Sequence, residues 1–195
     1  MFNKTRISVF GGRDITDSIY NDAYELGKLL AQEGYLVYCG GGNGVMEAIS
    51  KGVHEEGGTC VGILKGQTLD EMNEYVHIPL ATNMGITRNA LLAYNCDAAV
   101  AISGKYGTLS EIAYAMQLDK PVVGLHSWDI DNLKNVNSPH EVIKFIKENM
   151  FNPHEGLWAE TKLNSQFRQD TKKWRGVIGT GFVGLFIKQV YDLFT

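Results

Sequence analysis

Basic residues are too few for a nucleic-acid surface. The 195-residue chain carries 18 lysines and arginines against 22 acidic residues, a net charge of −4, whereas a general nucleic-acid binder presents a basic face. No nucleic-acid partner is expected. Cysteine is scarce too. Cys39, Cys60 and Cys96 are far apart and form no CxxC pair. That excludes a disulfide scaffold and predicts reduced thiols near strand ends or on buried faces of a cytoplasmic protein. Five histidines form no HxxxH or HxxE pattern, so neither a metal site nor a metal cofactor is expected. Four prolines and a 44% hydrophobic composition argue against disorder and for a real core. The opening MFNKTRISVFGG runs almost directly into a strand, without the long apolar segment of a secretory signal.

Glycine, by contrast, is abundant, with 22 residues, and it gathers where apolar runs end. Residues 6–12, 35–42, 59–64, 74–80, 97–103 and 120–127 read as strands. Between them, 17–34 places Ile19, Ala23, Leu26 and Leu30 at helical spacing, and 43–58, 84–96 and 107–119 are further helices. Segment 138–150 opens with Ser138 as cap, Pro139 in the first turn and Glu141 as a capping-box acid. Strands that are apolar throughout, separated by helices, predict a parallel sheet covered on both faces. The fold class is therefore α/β, a doubly wound, Rossmann-like sheet over residues 1–150. Ligands of such sheets bind beyond the carboxyl ends of the strands, at the point where strand order reverses. Three strand ends carry glycine clusters there: Gly11-Gly12, Gly40-Gly41-Gly42 and Gly104…Gly107.

The second cluster, YCGGGNGVMEA, joins a strand to a helix. Glycines let backbone N–H groups approach an anion, and a helix N-terminus adds partial positive charge. No GK[ST] follows, and the GxGxxG spacing is broken, so neither a Walker loop nor a dinucleotide fingerprint is present. The third cluster lies in SGKYGTLSEI, residues 103–112. Thr108 there either caps the following helix or donates to a phosphate. Glu111 either complements the helix dipole or faces a ligand, where a carboxylate beside a ribose stabilises an oxocarbenium-like transition state. Arg88, in TRNALL, clamps a phosphate or is a solvated surface residue.

These residues, with the strand-loop-helix order around them over about 6–126, resemble the LOG superfamily, long labelled lysine decarboxylase-like. That group includes cytokinin-activating nucleoside 5′-monophosphate phosphoribohydrolases, molybdenum-cofactor carrier proteins and a DprA/Smf-related branch. Its signature, PGGxGTxxE, is matched at Gly107, Thr108 and Glu111, with Arg88 preceding. The resemblance implies Arg88 and Glu111 as the catalytic pair for N-glycosidic cleavage. It implies phosphate contacts from Gly104, Gly107, Thr108 and the 41–44 loop, that is Gly41, Gly42, Asn43 and Gly44. Gly11, Gly12, Met46, Asn89 and Ser103 complete the candidate nucleotide site, Lys105 adds a phosphate contact or fills part of the site, and no cofactor is expected. The resemblance also implies a homodimer, with residues of both subunits near the site. Three positions depart from the pattern: Ser103 and Lys105 replace the Pro and second Gly, and Asn89 replaces the Lys that follows Arg in the hydrolases. The Arg-Asn form is closer to the carrier-like branch.

Beyond residue 150 the balance shifts. Residues 1–150 hold 18 acidic and 12 basic side chains, and residues 151–195 hold 4 and 6. Residues 151–176 read as a polar linker, and 177–195 as an amphipathic C-terminal helix with Ile178, Phe182, Leu185 and Phe186 on one stripe. Its uninterrupted apolar run, 177–187, is short of the ~20 residues of a membrane span. Docking on the body or a sister subunit is expected ahead of membrane contact. Three functions follow: a nucleoside-monophosphate N-glycosidase, a non-catalytic nucleotide or phosphorylated-cofactor binder, or a membrane-tethered sensor.

Overall fold

The computed structural model describes residues 4–151. The linker and C-terminal helix expected beyond them lie outside the described residues. Seven strands form one sheet in the order β4-β3-β2-β1-β5-β6-β7, every neighbouring pair parallel. They are β1 (Arg6–Gly11), β2 (Leu36–Cys39), β3 (Thr59–Leu64), β4 (Ile78–Ala81), β5 (Ala98–Ile102), β6 (Val122–Leu125) and β7 (Lys134–Val136). The helices are α1 (Asp17–Gln32), α2 (Val45–Glu55), α3 (Asn89–Tyr94), α4 (Tyr106–Gln117) and α5 (Pro139–Phe151). Strand order reverses between β1 and β5, the switch point of a doubly wound sheet.

Alternation along the strands assigns the two faces. On β5, Ala98, Val100 and Ile102 join a core with α1, α2 and α5, while Ala99 and Ala101 pack with α3 and α4. All five are buried, which is why the run looks continuously apolar. Beneath the opposite, amino ends of the strands, Arg6 ties β1 to the start of β5 through Asp97 at 2.6 and 3.2 Å.

Helices α1 and α2 approach backbone to backbone at Gly27 and Gly52. A Cβ on Gly27 would stand 2.5 Å from the Ile49 carbonyl, and one on Gly52 would meet Lys28 N at 2.9 Å and the Tyr24 carbonyl closer still. Backbone cannot yield as a side-chain tip can. Gly52→Ala is therefore expected to cost about 2–3 kcal/mol, read as a shift in the denaturant midpoint.

Three elements differ from the sequence reading. The strand expected at 74–80 starts at Ile78, because the chain before it turns around buried Asn73, whose Oδ1 accepts from Tyr75 N–H at 3.1 Å. The helix expected at 84–96 is a 3-10 turn, Gly85–Arg88, followed by the short α3. Strand β7 is three residues long, with two exposed, and lacks an apolar signal. At α5, Ser138 Oγ accepts from Glu141 N–H at 3.4 Å, and the Glu141 carboxylate accepts from Asn137 N–H at 2.8 Å. All three cysteines are buried and free. No helix among the described residues is long and apolar enough to cross a membrane.

Candidate functional site

A cavity of about 430 Å³ opens at the carboxyl ends of the central strands, over the switch point. Gly12 and Gly104 meet there backbone to backbone: a Cβ on Gly12 would lie 3.2 Å from the Gly104 Cα. Gly11, Gly12, Ser103, Gly104 and Gly107 all line the cavity. Ser103 turns the chain out of β5 with φ +48°, and Gly104 continues at φ +97°. Helix α4 then starts at Tyr106, with Lys105 as the residue before it and no side chain bonded to its first N–H groups. Thr108 therefore lies inside the first turn and does not cap it. Lys105, Gly107 and Thr108, at the start of this 12-residue helix, line the cavity, and uncapped N–H groups at a helix N-terminus attract anions.

The β2 turn contributes differently. Gly40 and Met46 line the cavity, whereas Gly41, Gly42, Asn43 and Gly44 stand outside its lining. The Gly41 N–H donates to Cys39 Sγ at 3.3 Å, and the Gly41 and Gly42 carbonyls accept from Asn73 Nδ2 at 3.1 and 2.8 Å. Gly44 abuts the end of β1, where a Cβ would stand 2.6 Å from the Gly12 carbonyl. The glycines here make room for side chains. A Cβ on Gly40 would meet Met46 Sδ at 2.7 Å and Arg88 Cζ at 3.1 Å; one on Gly42 would lie 3.5 Å from Arg13 Nη2.

Arg88 fills the space that Gly40 leaves. It is 9% exposed, so it is not a solvated surface residue. Its Nη1 donates to Glu111 Oε1 at 3.1 Å and to Asn89 Oδ1 at 2.6 Å, while its buried Nε has no partner in the protein. Asn89 in turn donates to the Gly107 carbonyl at 3.3 Å and to Ser110 Oγ at 3.0 Å, which fixes Arg88 against the first turn of α4. Glu111 is 5% exposed. Burial pushes its carboxyl up to about 8 despite the neighbouring Arg88, because an ionised carboxylate loses more hydration than one guanidinium returns. At neutral pH Glu111 is therefore held largely as the acid. Beneath it, Cys39 Sγ lies 3.7 Å from Cys60 Sγ and 3.5 Å from Ser50 Oγ. The hydrogen bond between the two thiols lowers Cys39 and raises Cys60 from the ordinary thiol value.

Arg88, Asn89, Lys105, Thr108 and Glu111 thus line one cavity with the glycines of β1 and β5. Arg13, Asp14, Lys65, Gly85 and Ile86 line it as well, and sequence reasoning missed them. Their signal was position: Arg13 and Asp14 follow the β1 glycines directly, and Lys65 is the first residue after β3. Among the described residues, no group of three or more His, Cys, Asp or Glu side chains is placed to hold a metal ion.

The sequence profile of the SLOG cluster4 family matches residues 4–152. An uncharacterized protein of Archaeoglobus fulgidus is 36% identical over 141 residues, covering 72% of this chain and 93% of that one. A cytokinin riboside 5′-monophosphate phosphoribohydrolase of Arabidopsis thaliana is 39% identical over 97 residues, covering 45% of this chain and 42% of the hydrolase. Among solved structures, the molybdenum cofactor binding protein of Rippkaea orientalis superposes with a TM-score of 0.72 at 32% identity, covering 76% of this chain and 98% of that one.

Proposed function

The chain belongs to the SLOG cluster4 family, and on that premise we propose that its cavity binds a nucleoside 5′-monophosphate and hydrolyses the N-glycosidic bond to free base and ribose 5-phosphate. The observation that carries this reading is the buried Arg88–Glu111 pair set in the cavity wall beside the α4 N-terminus. The phosphate sits on the N–H groups of the 104–108 turn, with Lys105 above it. Arg88, held by Asn89, turns its remaining N–H groups to the ligand. Glu111, carrying a proton, gives it to the departing base as the C1′–N bond breaks. Its carboxylate then faces the ribosyl cation and takes a proton from the water that attacks C1′. Each turnover returns Glu111 to its protonated state.

One contact favours a second reading, a carrier of a phosphorylated small molecule. Asn89 holds Arg88 at a shorter distance than Glu111 does, 2.6 against 3.1 Å. Asn also replaces the Lys of the hydrolase pattern, and the matched molybdenum cofactor binding protein is covered almost entirely. Incubation with a panel of nucleoside 5′-monophosphates, with free base followed by chromatography and melting temperature in parallel, separates the two. Base release establishes the hydrolase. Thermal stabilisation without release establishes the carrier.

We also read the α3-side face of β2–β4 as a self-association surface. A groove of about 330 Å³ there is lined by Tyr38, Ile63, Ile78, Leu80 and Leu91. Ile78 and Leu80 remain 47% and 46% exposed, an apolar area without a covering helix among the described residues. Leu80→Asp is expected to lower the mass measured by sedimentation from that of a dimer to that of a monomer.

A further inference from the structure

Two cations that line the cavity have no role in the chemistry above. Arg13 follows β1 and Lys65 follows β3, and both line the cavity. They converge on one carboxylate: Arg13 Nη2 lies 3.4 Å from Glu71 Oε2, and Lys65 Nζ lies 3.3 Å from Glu71 Oε1. Arg13 also lies over Gly42, where a Cβ would be in ordinary contact with Nη2 at 3.5 Å. One acid between two bases leaves the group a net positive charge. It also arranges the two cations without removing either from the cavity wall, and Glu71 itself does not line that wall.

The phosphate cradle is elsewhere. It lies beyond β5, whereas Lys65 lies beyond β3, three strands along the sheet. With neighbouring strands about 4.8 Å apart, the Lys65 end stands roughly 14 Å along the sheet from the cradle, comparable with an extended mononucleotide, and Arg13, which follows β1, shares Glu71 with Lys65. Arg88 and Glu111 stand between the cradle and the Lys65 end. A ligand charged only at its phosphate end leaves Arg13 and Lys65 unused. A diphosphate also leaves them unused, because both its phosphates lie at one end.

Resting on the phosphorylated-ligand reading above, we propose that the ligand carries a second anionic group, a carboxylate or a second phosphate, at the end remote from its 5′-phosphate, and that Arg13 and Lys65 bind it. The cavity then recognises its ligand by charge at both ends, with the scissile or carried portion held over Arg88 and Glu111.

The test is a matched pair of ligands. Titration calorimetry compares adenosine 5′-monophosphate with its N6-succinyl derivative, which differs only by a dicarboxylate on the distal edge of the base. The succinyl derivative is expected to bind about tenfold tighter or more, since two charge-assisted contacts are added. In Lys65→Ala and in Arg13→Ala the ratio of the two affinities is expected to fall toward one. If both nucleotides bind the unaltered protein equally, the second anionic group is refuted while the phosphate reading stands. A tenfold preference that survives both substitutions also refutes it, because the dicarboxylate is then read elsewhere. If neither nucleotide binds, the nucleotide reading of the cavity fails and this inference fails with it.

Discussion

Replacing Glu111 by Gln is expected to lower base release by about 10²–10⁴-fold while nucleotide affinity changes by no more than a few-fold. The amide keeps the shape of the side chain, and its oxygen can still accept from Arg88 Nη1, the contact now made at 3.1 Å. It cannot give a proton to the leaving base or take one from water. The phosphate contacts come from the 104–108 turn and do not depend on it. Single-turnover chromatography with calorimetry on the same samples checks both halves. A Glu111→Gln protein that still releases base at the original rate would remove Glu111 from the mechanism and leave the hydrolase without an acid.

The same substitution has a second consequence, in stability. Glu111 binds its proton more tightly folded than unfolded, with its carboxyl raised from 4.5 to about 8 by burial. Below pH 4.5 both states are protonated, and the site costs nothing extra. As pH rises toward 8 the unfolded chain ionises while the folded one does not, so folding stability is lost progressively across that window. The loss is on the order of 3–5 kcal/mol. Gln does not titrate. The stability of Glu111→Gln relative to the unaltered protein is therefore expected to rise from pH 5 to pH 8.5, read from denaturant midpoints at the two pH values. Base release by the unaltered enzyme is expected to fall as pH passes about 8, where the acid loses its proton.

The helices, the central strands and the switch-point site are legible in the chain because each has a local cause. Apolar runs ending in glycine mark β1, β2 and β5, and the GTxxE spacing places Glu111 on the first turns of α4. What escaped depends on topology. Arg13 and Lys65 are 52 positions apart and meet only because β1, β2 and β3 are neighbours whose following loops converge on Glu71. The burial of Arg88 is equally non-local. It requires Gly40, in the loop after β2, to leave its face open, so the spacing around Arg88 alone reads equally well as a surface residue. Of the two roles the sequence leaves open for Thr108, the structure excludes the cap. A Thr before a helical pattern is an ordinary cap, but here α4 starts two residues earlier, at Tyr106, and the hydroxyl falls inside the turn against Gly104.

That contact makes Gly104→Ala and Gly107→Ala a contrasting pair. Gly104 has φ +97°, and a Cβ there would stand 2.5 Å from the Thr108 Cβ. Thr108 is only 3% exposed, and rotation about its χ1 does not move its Cβ, so the turn itself must open. Strain and overpacking together are expected to cost about 2–4 kcal/mol. The displaced N–H groups are expected to weaken nucleotide binding at least about tenfold. Gly107 differs in both respects. It lies within α4, and a Cβ there would have no protein atom nearer than Asn89 Nδ2, at 3.8 Å. Alanine in a helix is favoured over glycine by up to about 1 kcal/mol, so Gly107→Ala is expected to be neutral or stabilising. Yet Gly107 lines the cavity, and a methyl group there projects into the space assigned to the phosphate. The two variants should therefore lose affinity together while their melting temperatures move apart, Gly104→Ala down and Gly107→Ala level or up. If Gly107→Ala binds nucleotide as the unaltered protein does, the phosphate does not sit on this turn, and the cradle has to be sought on the Arg13–Lys65 side of the cavity.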